Sequence, residues 1–363
     1  MLTEKEIQVL EMIKKNPYLS QQDMAAQLNI SRPTLANIIS GLMKKGEIVG
    51  RAYILPEKDV IIVIGGANVD RKFHLNEAVQ LGTSNPATTS ISVGGVARNV
   101  AENLGRLSHS VKLITLMGKD QDATFIEETS GAYIDFELVD HLEEEKTGSY
   151  SAILDNEGEL VLGLANMSIY NLLSPNVLRK HEIILLNSRC IIVDLNCPKE
   201  TVEYLRDLAI SRNILFTIVP VSSSKMKNMP NTLNGVSFFI CNLDEAETYL
   251  NNRFEDMNDF MNAAQRLLEM GAENVVLTLG DKGVIVGSSL GIKHIEATKV
   301  NEVNDVTGAG DAFVGAMMHG VLVGELFEDA VRLGLYNASK TIESDYTVRT
   351  DLSIEELSNW RNS

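Results

Sequence analysis

Cysteine is scarce, with Cys190, Cys197 and Cys241 the only three in 363 residues. An odd number without metal-ligand spacing excludes a disulfide framework and a zinc knuckle, so they read as core thiols in a reducing cytoplasm. Long apolar runs are missing too, which excludes a bilayer-spanning helix. Thr3 to Glu6 is polar and no small-residue cleavage site follows, so no secretory leader is expected. The chain has no G-x-x-x-x-G-K-[ST] match, and no G-x-G-x-x-G follows its first apolar strand, where Gly65-Gly66-Ala67-Asn68-Val69-Asp70 stands instead. A Walker A loop and a dinucleotide fingerprint are therefore excluded. Internal repeats and low-complexity tracts are also lacking. Positive charge is short: the net charge is -17. Residues 1–58 hold eight Lys or Arg against six Asp or Glu, so the acidity lies in the remainder. An acidic body argues against general nucleic-acid binding and leaves that role open for the head.

Three short helices are written into the head. Residues 3–15 put Ile7, Leu10, Met12 and Ile13 near one face after a capping Thr3; Asn16-Pro17 breaks the helix. Ser20 to Leu28 opens on Ser-x-x-Asp, and Ser31 caps a third helix with Pro33 in its first turn and Leu35, Ile38, Ile39, Leu42 and Met43 inward. Residues 44–49 and 51–55 read as a two-stranded wing, and Pro56 to Asp59 as a linker. The head, 1–56, resembles the winged helix-turn-helix domains of bacterial regulators. That likeness puts Ser31, Arg32, Thr34 and Asn37 on a recognition helix facing double-stranded DNA.

Val60 to Ile64 is continuously apolar, as in a strand buried on both faces. Strands and helices then alternate: strands at 111–117, 190–195, 214–219, 237–241 and 274–279, helices at 96–107, 120–130, 199–212, 243–250, 260–270 and 327–342. This pattern requires an α/β body with a parallel sheet covered on both sides. Residues 148–165 alternate as a hairpin around Asp155-Asn156-Glu157-Gly158.

The body centres on Asn304-Asp305-Val306-Thr307-Gly308-Ala309-Gly310-Asp311, which runs into an apolar helix from Ala312 to Val323. Gly308, Ala309 and Gly310 can point backbone N–H groups at an anion from a helix N-terminus. Asp311 conflicts with such an anion hole unless it does chemistry, and a carboxylate beside a phosphoryl group can take a proton from an attacking hydroxyl.

This segment resembles the C-terminal signature of the ribokinase-like (PfkB) carbohydrate kinases, and Gly94-Gly95-Val96-Ala97-Arg98-Asn99 resembles the N-terminal one. The likeness implies a three-layer ribokinase-like domain over 59–363, with a mostly parallel sheet and a small β lid whose strands fall near 82–92 and 135–166. It assigns Asp70 to paired sugar hydroxyls with Asn68 close by, and Asn99 to the sugar. Gly94 and Gly95 allow close backbone approach. Arg98 either steadies the lip of the site or is a surface salt-bridge partner. Asn242 and Glu245 match an Asn-x-x-Glu pattern whose Glu holds Mg²⁺ through water. Thr278, Gly280 and Gly283 fall in a nucleotide-binding turn, and Asn337 at a position near adenine, so ATP is the implied donor. Asp305 and Thr307, with a loop matching Ser344 to Thr347, take part in a monovalent-cation site in many relatives. Here Tyr346 and a missing glycine depart from that loop and leave K⁺ activation open.

Residues 82–107 and 147–171 resemble the bacterial pseudouridine kinases, except that Asn166 stands where an acid is expected before Met167. The implied reaction is phosphorylation of pseudouridine at its 5′-hydroxyl. The alternatives are another nucleoside or sugar (adenosine, ribose), or a transcription regulator whose kinase-like body senses such a ligand. The likeness also implies a homodimer through the lid.

Overall fold

Ile61-Ile62-Val63-Ile64 is β-branched throughout, which suits a pleated strand, and all four side chains are fully buried. Alternation sends Ile61 and Val63 into one core and Ile62 and Ile64 into another. The sheet must therefore be covered twice, and it is. Helices Val96–Arg106, Ala309–Val323 and Phe327–Ile342 bury Leu104, Met317 and Val331 against one face. Lys199–Arg212, Leu243–Leu250 and Met257–Glu269 bury Leu205, Ala246 and Leu267 against the other.

These features come from a computed structural model that describes residues 2–15, 19–48 and 59–362. The chain divides into two compact units, Met1–Pro56 and Glu57–Ser363. Among the described residues the main sheet has eight strands, in the order Gly291–Ile295, Val284–Ser288, Asn274–Thr278, Phe238–Asn242, Leu215–Val219, Cys190–Asp194, Ile61–Ile64 and Val111–Ile114. The first two join antiparallel and the rest are parallel. Parallel strands finish at one edge, so Gly65, Asp194, Asn242 and Thr278 come together there, where open α/β sheets hold ligands.

A second sheet of four strands, in the order Ala87–Gly94, Asn68–Leu75, Gly148–Leu154 and Leu160–Asn166, forms the lid. Two readings change here. Asn68 to Asp70, read only as the segment after the first buried strand, opens a lid strand, and Asp140–Leu142 pairs with Leu116–Gly118 outside the lid. The hairpin turn is as expected, with Asp155 Oδ1 accepting from the N–H groups of Glu157 and Glu159, each at 2.9 Å.

In the head, Ser20 and Ser31 cap Gln21–Gln27 and Arg32–Lys44, and Thr3 precedes Glu4–Lys15. Val9, Met24, Ala25, Leu35, Ile39 and Leu42 make its core. Ile7 and Met43 turn outward, at 45% and 37% exposure. Glu6 takes an inward place on the first helix and receives Lys45 at 2.8 Å. The expected wing and linker fall mostly on 49–58, outside the described residues.

Candidate active site

Gly308 sits at the N-cap of Ala309–Val323 with φ 84°, and a Cβ there would lie 2.2 Å from the Thr347 carbonyl oxygen. Only glycine fits this position. The helix begins at Ala309, three residues before the expected Ala312, so Asp311 belongs to its first turn. Among the described residues the N–H groups of Gly308, Gly310 and Asp311 have no protein partner, whereas that of Ala309 donates to the Val306 carbonyl at 3.3 Å. Two of the three expected amides are thus free for an anion, and Asp311 adds its own. No side chain caps this end, so the positive pole of the helix stays open.

Asn99 donates from Nδ2 to Asp311 at 2.7 Å and leaves its buried Oδ1 unpartnered among the described residues. A ligand hydroxyl would satisfy that acceptor. Burial pushes the Asp311 carboxyl up to about 7; Asp194 and Asp70 add to this, while Asn99 and Arg98 oppose it. An acid titrating near neutrality can exist as a base at working pH. Asp70 is also raised, to about 6, by burial against the pull of Arg98, Asn68 and Lys72. Asn68 donates to it at 2.5 Å. Gly95 holds φ 97°, and a Cβ there would meet the Gly66 carbonyl oxygen at 2.4 Å, so the two glycine turns must touch directly. Asp70, Gly94, Asn99 and Asp311 therefore gather at one place.

Other candidates are placed differently. Arg98 is neither lip nor surface: it is 1% exposed, its Nη atoms donate to Glu102 at 2.5 Å, the Val93 carbonyl and Ser130, and its buried Nε has no partner among the described residues. It acts on Asp311 and Asp70 through charge from behind. Asn337 is fully buried, with Nδ2 on Asn103 and the Ala312 carbonyl and Oδ1 held by Arg349, so no edge is left for adenine. Asn242, Thr278 and Gly280 do line one cavity of about 270 Å³, together with Asp244, Phe260 and Lys282. Gly283 forms the hairpin turn beside that lining without joining it.

Glu245 is bound into a reciprocal cap, with Asn242 N–H donating to its carboxylate and its own N–H donating to Asn242 Oδ1, both at 2.9 Å. Among the described residues no group of three or more His, Cys, Asp or Glu side chains could hold a metal ion. A Mg²⁺ held only through water would need no such group, and Glu245 follows Asn242 at the rim of that cavity. Thr307 donates its N–H and O–H to Asp305 Oδ1 at 2.8 and 2.6 Å, and Lys72 donates to Oδ2. In the head, Ser31, Arg32, Thr34 and Asn37 are all exposed, with the Ser31 and Thr34 hydroxyls 2.7 Å apart in the cap.

Asp194 and Tyr170 serve the site from outside its sequence motifs. Asp194 is 1% exposed and accepts from the N–H groups of Gly66, Ala97 and Asn196 at 2.8, 3.0 and 2.8 Å, tying three strand-end loops together. The signal was an acid closing an otherwise apolar strand. The Tyr170 hydroxyl accepts from Ala67 N–H at 3.0 Å and donates to the Ala67 carbonyl, beneath the turn that leads to Asn68.

The sequence model of the pfkB family carbohydrate kinases matches residues 58–353. The chain belongs to this family. Residues 2–49 match a winged helix-turn-helix DNA-binding model, and the three described helices of the N-terminal unit agree with it. Among curated relatives, a pseudouridine kinase of Escherichia coli is 30% identical over 83% of this chain and 96% of its own length. A guanosine-inosine kinase of Exiguobacterium acetylicum is 28% identical over 78% and 94%. A crystal structure of a putative sugar kinase from Clostridium perfringens superposes with a TM-score of 0.73 at 25% identity, over 84% of this chain and 96% of that one. A pfkB kinase with this sheet and lid is a phosphotransferase with an alcohol acceptor, of the sugar and nucleoside kinase class.

Proposed function

We propose that the chain transfers the γ-phosphoryl group of ATP to the 5′-hydroxyl of pseudouridine. The observation that carries the reading is Asp311, a near-neutral carboxyl in the first turn of a helix whose free amides face out beside it. Asp70 and the unpartnered Asn99 Oδ1 hold the acceptor's hydroxyls. Asp311 takes the proton of the attacking hydroxyl as its oxygen bonds to phosphorus. The bond to the β-phosphate oxygen breaks and ADP leaves. The amides of Gly308, Gly310 and Asp311 stabilise charge on the transferring group without reorganising. Lys282, Thr278 and Gly280 border the cavity in which the nucleotide is placed. Magnesium enters as the MgATP substrate.

Pseudouridine is favoured over other acceptors by the 30% identical relative and by the stretches 82–107 and 147–171. The guanosine-inosine kinase keeps a purine nucleoside as an alternative acceptor, and a ribokinase relative keeps a free sugar. The head adds a second role, binding of double-stranded DNA through Arg32 and Asn37 with Ser31 and Thr34 at the cap, so that one chain both phosphorylates and regulates. Coupled ATP consumption across pseudouridine, uridine, guanosine, adenosine and ribose tests the acceptor, with phosphorus NMR to locate the new ester. The expected result is a kcat/KM for pseudouridine at least about tenfold above the others, a difference of about 1.4 kcal/mol. Turnover of ribose in preference to every nucleoside would reject the reading.

A further inference from the structure

We propose that Lys72 supplies a built-in positive charge at Asp305, so that the phosphate-binding loop works without an added monovalent cation. The strand Asn68–Leu75 lies between two others, with Lys72 opposite Ser90 on one side and Ala152 on the other, so backbone bonding on both edges fixes where Lys72 starts. Alternation puts Lys72 on the same face as Asp70, while Arg71 points to the opposite face and is held by Asp122 at 2.6 Å. From that face Lys72 reaches Asp305 Oδ2, the oxygen that Thr307 leaves open. Burial would push the Asp305 carboxyl up, but the hydrogen bonds from Lys72 and Thr307 outweigh it and hold it below its usual range.

Carbonyl oxygens of the neighbouring loop are already engaged by protein groups. The Glu343 carbonyl accepts from Asn304 Nδ2 at 3.0 Å, and the Tyr346 carbonyl accepts from Ser344 Oγ at 3.1 Å. The Thr347 carbonyl is packed against Gly308. An unpaired Asp305 carboxylate, three residues before the N-cap, would repel the phosphate that the helix amides attract. Lys72 cancels that charge and ties the strand carrying Asp70 to the loop leading to Asp311. It is a positioning residue, and it aligns acceptor and donor sites with one ion pair.

The inference rests on the kinase reading only for its turnover readout. The test uses the full-length protein, wild type, Lys72→Ala and Lys72→Arg, in choline chloride replaced stepwise by KCl at constant ionic strength. Unfolding temperature is read first and ATP turnover second. Wild type and Lys72→Arg should be indifferent to K⁺, their unfolding temperatures moving by less than about 1 °C because nothing binds the folded state selectively. Lys72→Ala should lose at least about tenfold in kcat, and K⁺ or methylammonium should restore part of both stability and rate. A K⁺-dependent rise in wild-type unfolding temperature overturns the proposal. So does Lys72→Ala behaving as wild type, or losing ATP affinity with no response to cations, which would make Lys72 a phosphate ligand. If wild type turns over no acceptor, the kinase reading falls while the unfolding measurements still decide on Lys72.

Discussion

Asp311 has a proton affinity that an exposed aspartate lacks, and two measurable consequences follow from the same burial. Its carboxyl rises from 3.8 to about 7, so the deprotonated base accumulates only as pH climbs through neutrality. The kcat/KM profile should therefore rise with an inflection near 7 and flatten above it; a flat profile between pH 5 and 8 would count against Asp311 as base. Asp311→Asn should cut turnover by at least about a hundredfold, in line with general-base contributions. Stability should move the other way. A carboxyl whose folded pKa lies above its unfolded value contributes stability below pH 3.8, which is lost as pH rises through about 7. Asp311→Asn should accordingly unfold at a higher temperature than wild type at pH 8, with the gap closing toward pH 5. Thermal unfolding at the two pH values checks it.

At the scale of elements, the site depends on strand-end loops being held against one another, and Asp194 is the clasp. Removing it in Asp194→Ala strands the buried N–H groups of Gly66, Ala97 and Asn196. Each unsatisfied donor costs about 1–3 kcal/mol, so the unfolding temperature should fall by at least about 5 °C. Asp194→Asn keeps one acceptor oxygen and should lose less; calorimetry on both variants tells whether the clasp or the charge matters. This element view also explains what could be read in the sequence. Helices Lys199–Arg212, Leu243–Leu250 and Phe327–Ile342 match their expected bounds because apolar periodicity and flanking strands agree. Lid strand Asn68–Leu75 was hidden because Arg71, Lys72 and His74 look like a solvated turn, and only its two neighbours make it a strand. The helix Ala309–Val323 begins earlier than read because the poor helix propensity of Gly310 and Asp311 looks like a turn in the sequence. Arg98 and Asn337 carried ligand-like chemistry in the sequence, and only packing reveals that both are consumed by buried partners.

For the whole molecule, two surfaces remain to be used. On the lid, register places Ile91, Ser151 and Leu164 beside Arg71, on the face opposite Asp70, with Leu162 beside Ile153 on that same side. Ile91, Leu162 and Leu164 are exposed, an apolar face that a second copy of the lid would cover. Leu164→Glu should convert the expected dimer to monomer in sedimentation velocity; a wild type monomeric at every concentration removes the idea. The other surface is the exposed face of helix Arg32–Lys44, expected to meet DNA, where the charge balance sets the terms. The chain carries -17 overall, so the body repels a polyanion and only the head, with its small excess of Lys and Arg, can attract one. Affinity must then come from a few phosphate contacts, each releasing counterions. Fluorescence anisotropy on duplex DNA should give log K falling with log salt at a slope of about −3 or steeper, roughly 0.9 for each phosphate neutralised. Arg32→Ala should reduce the magnitude of that slope by about one if Arg32 meets a phosphate. If it reads a base edge instead, affinity falls while the slope holds. A response flat in salt would mean that the exposed face of Arg32–Lys44 meets something other than DNA.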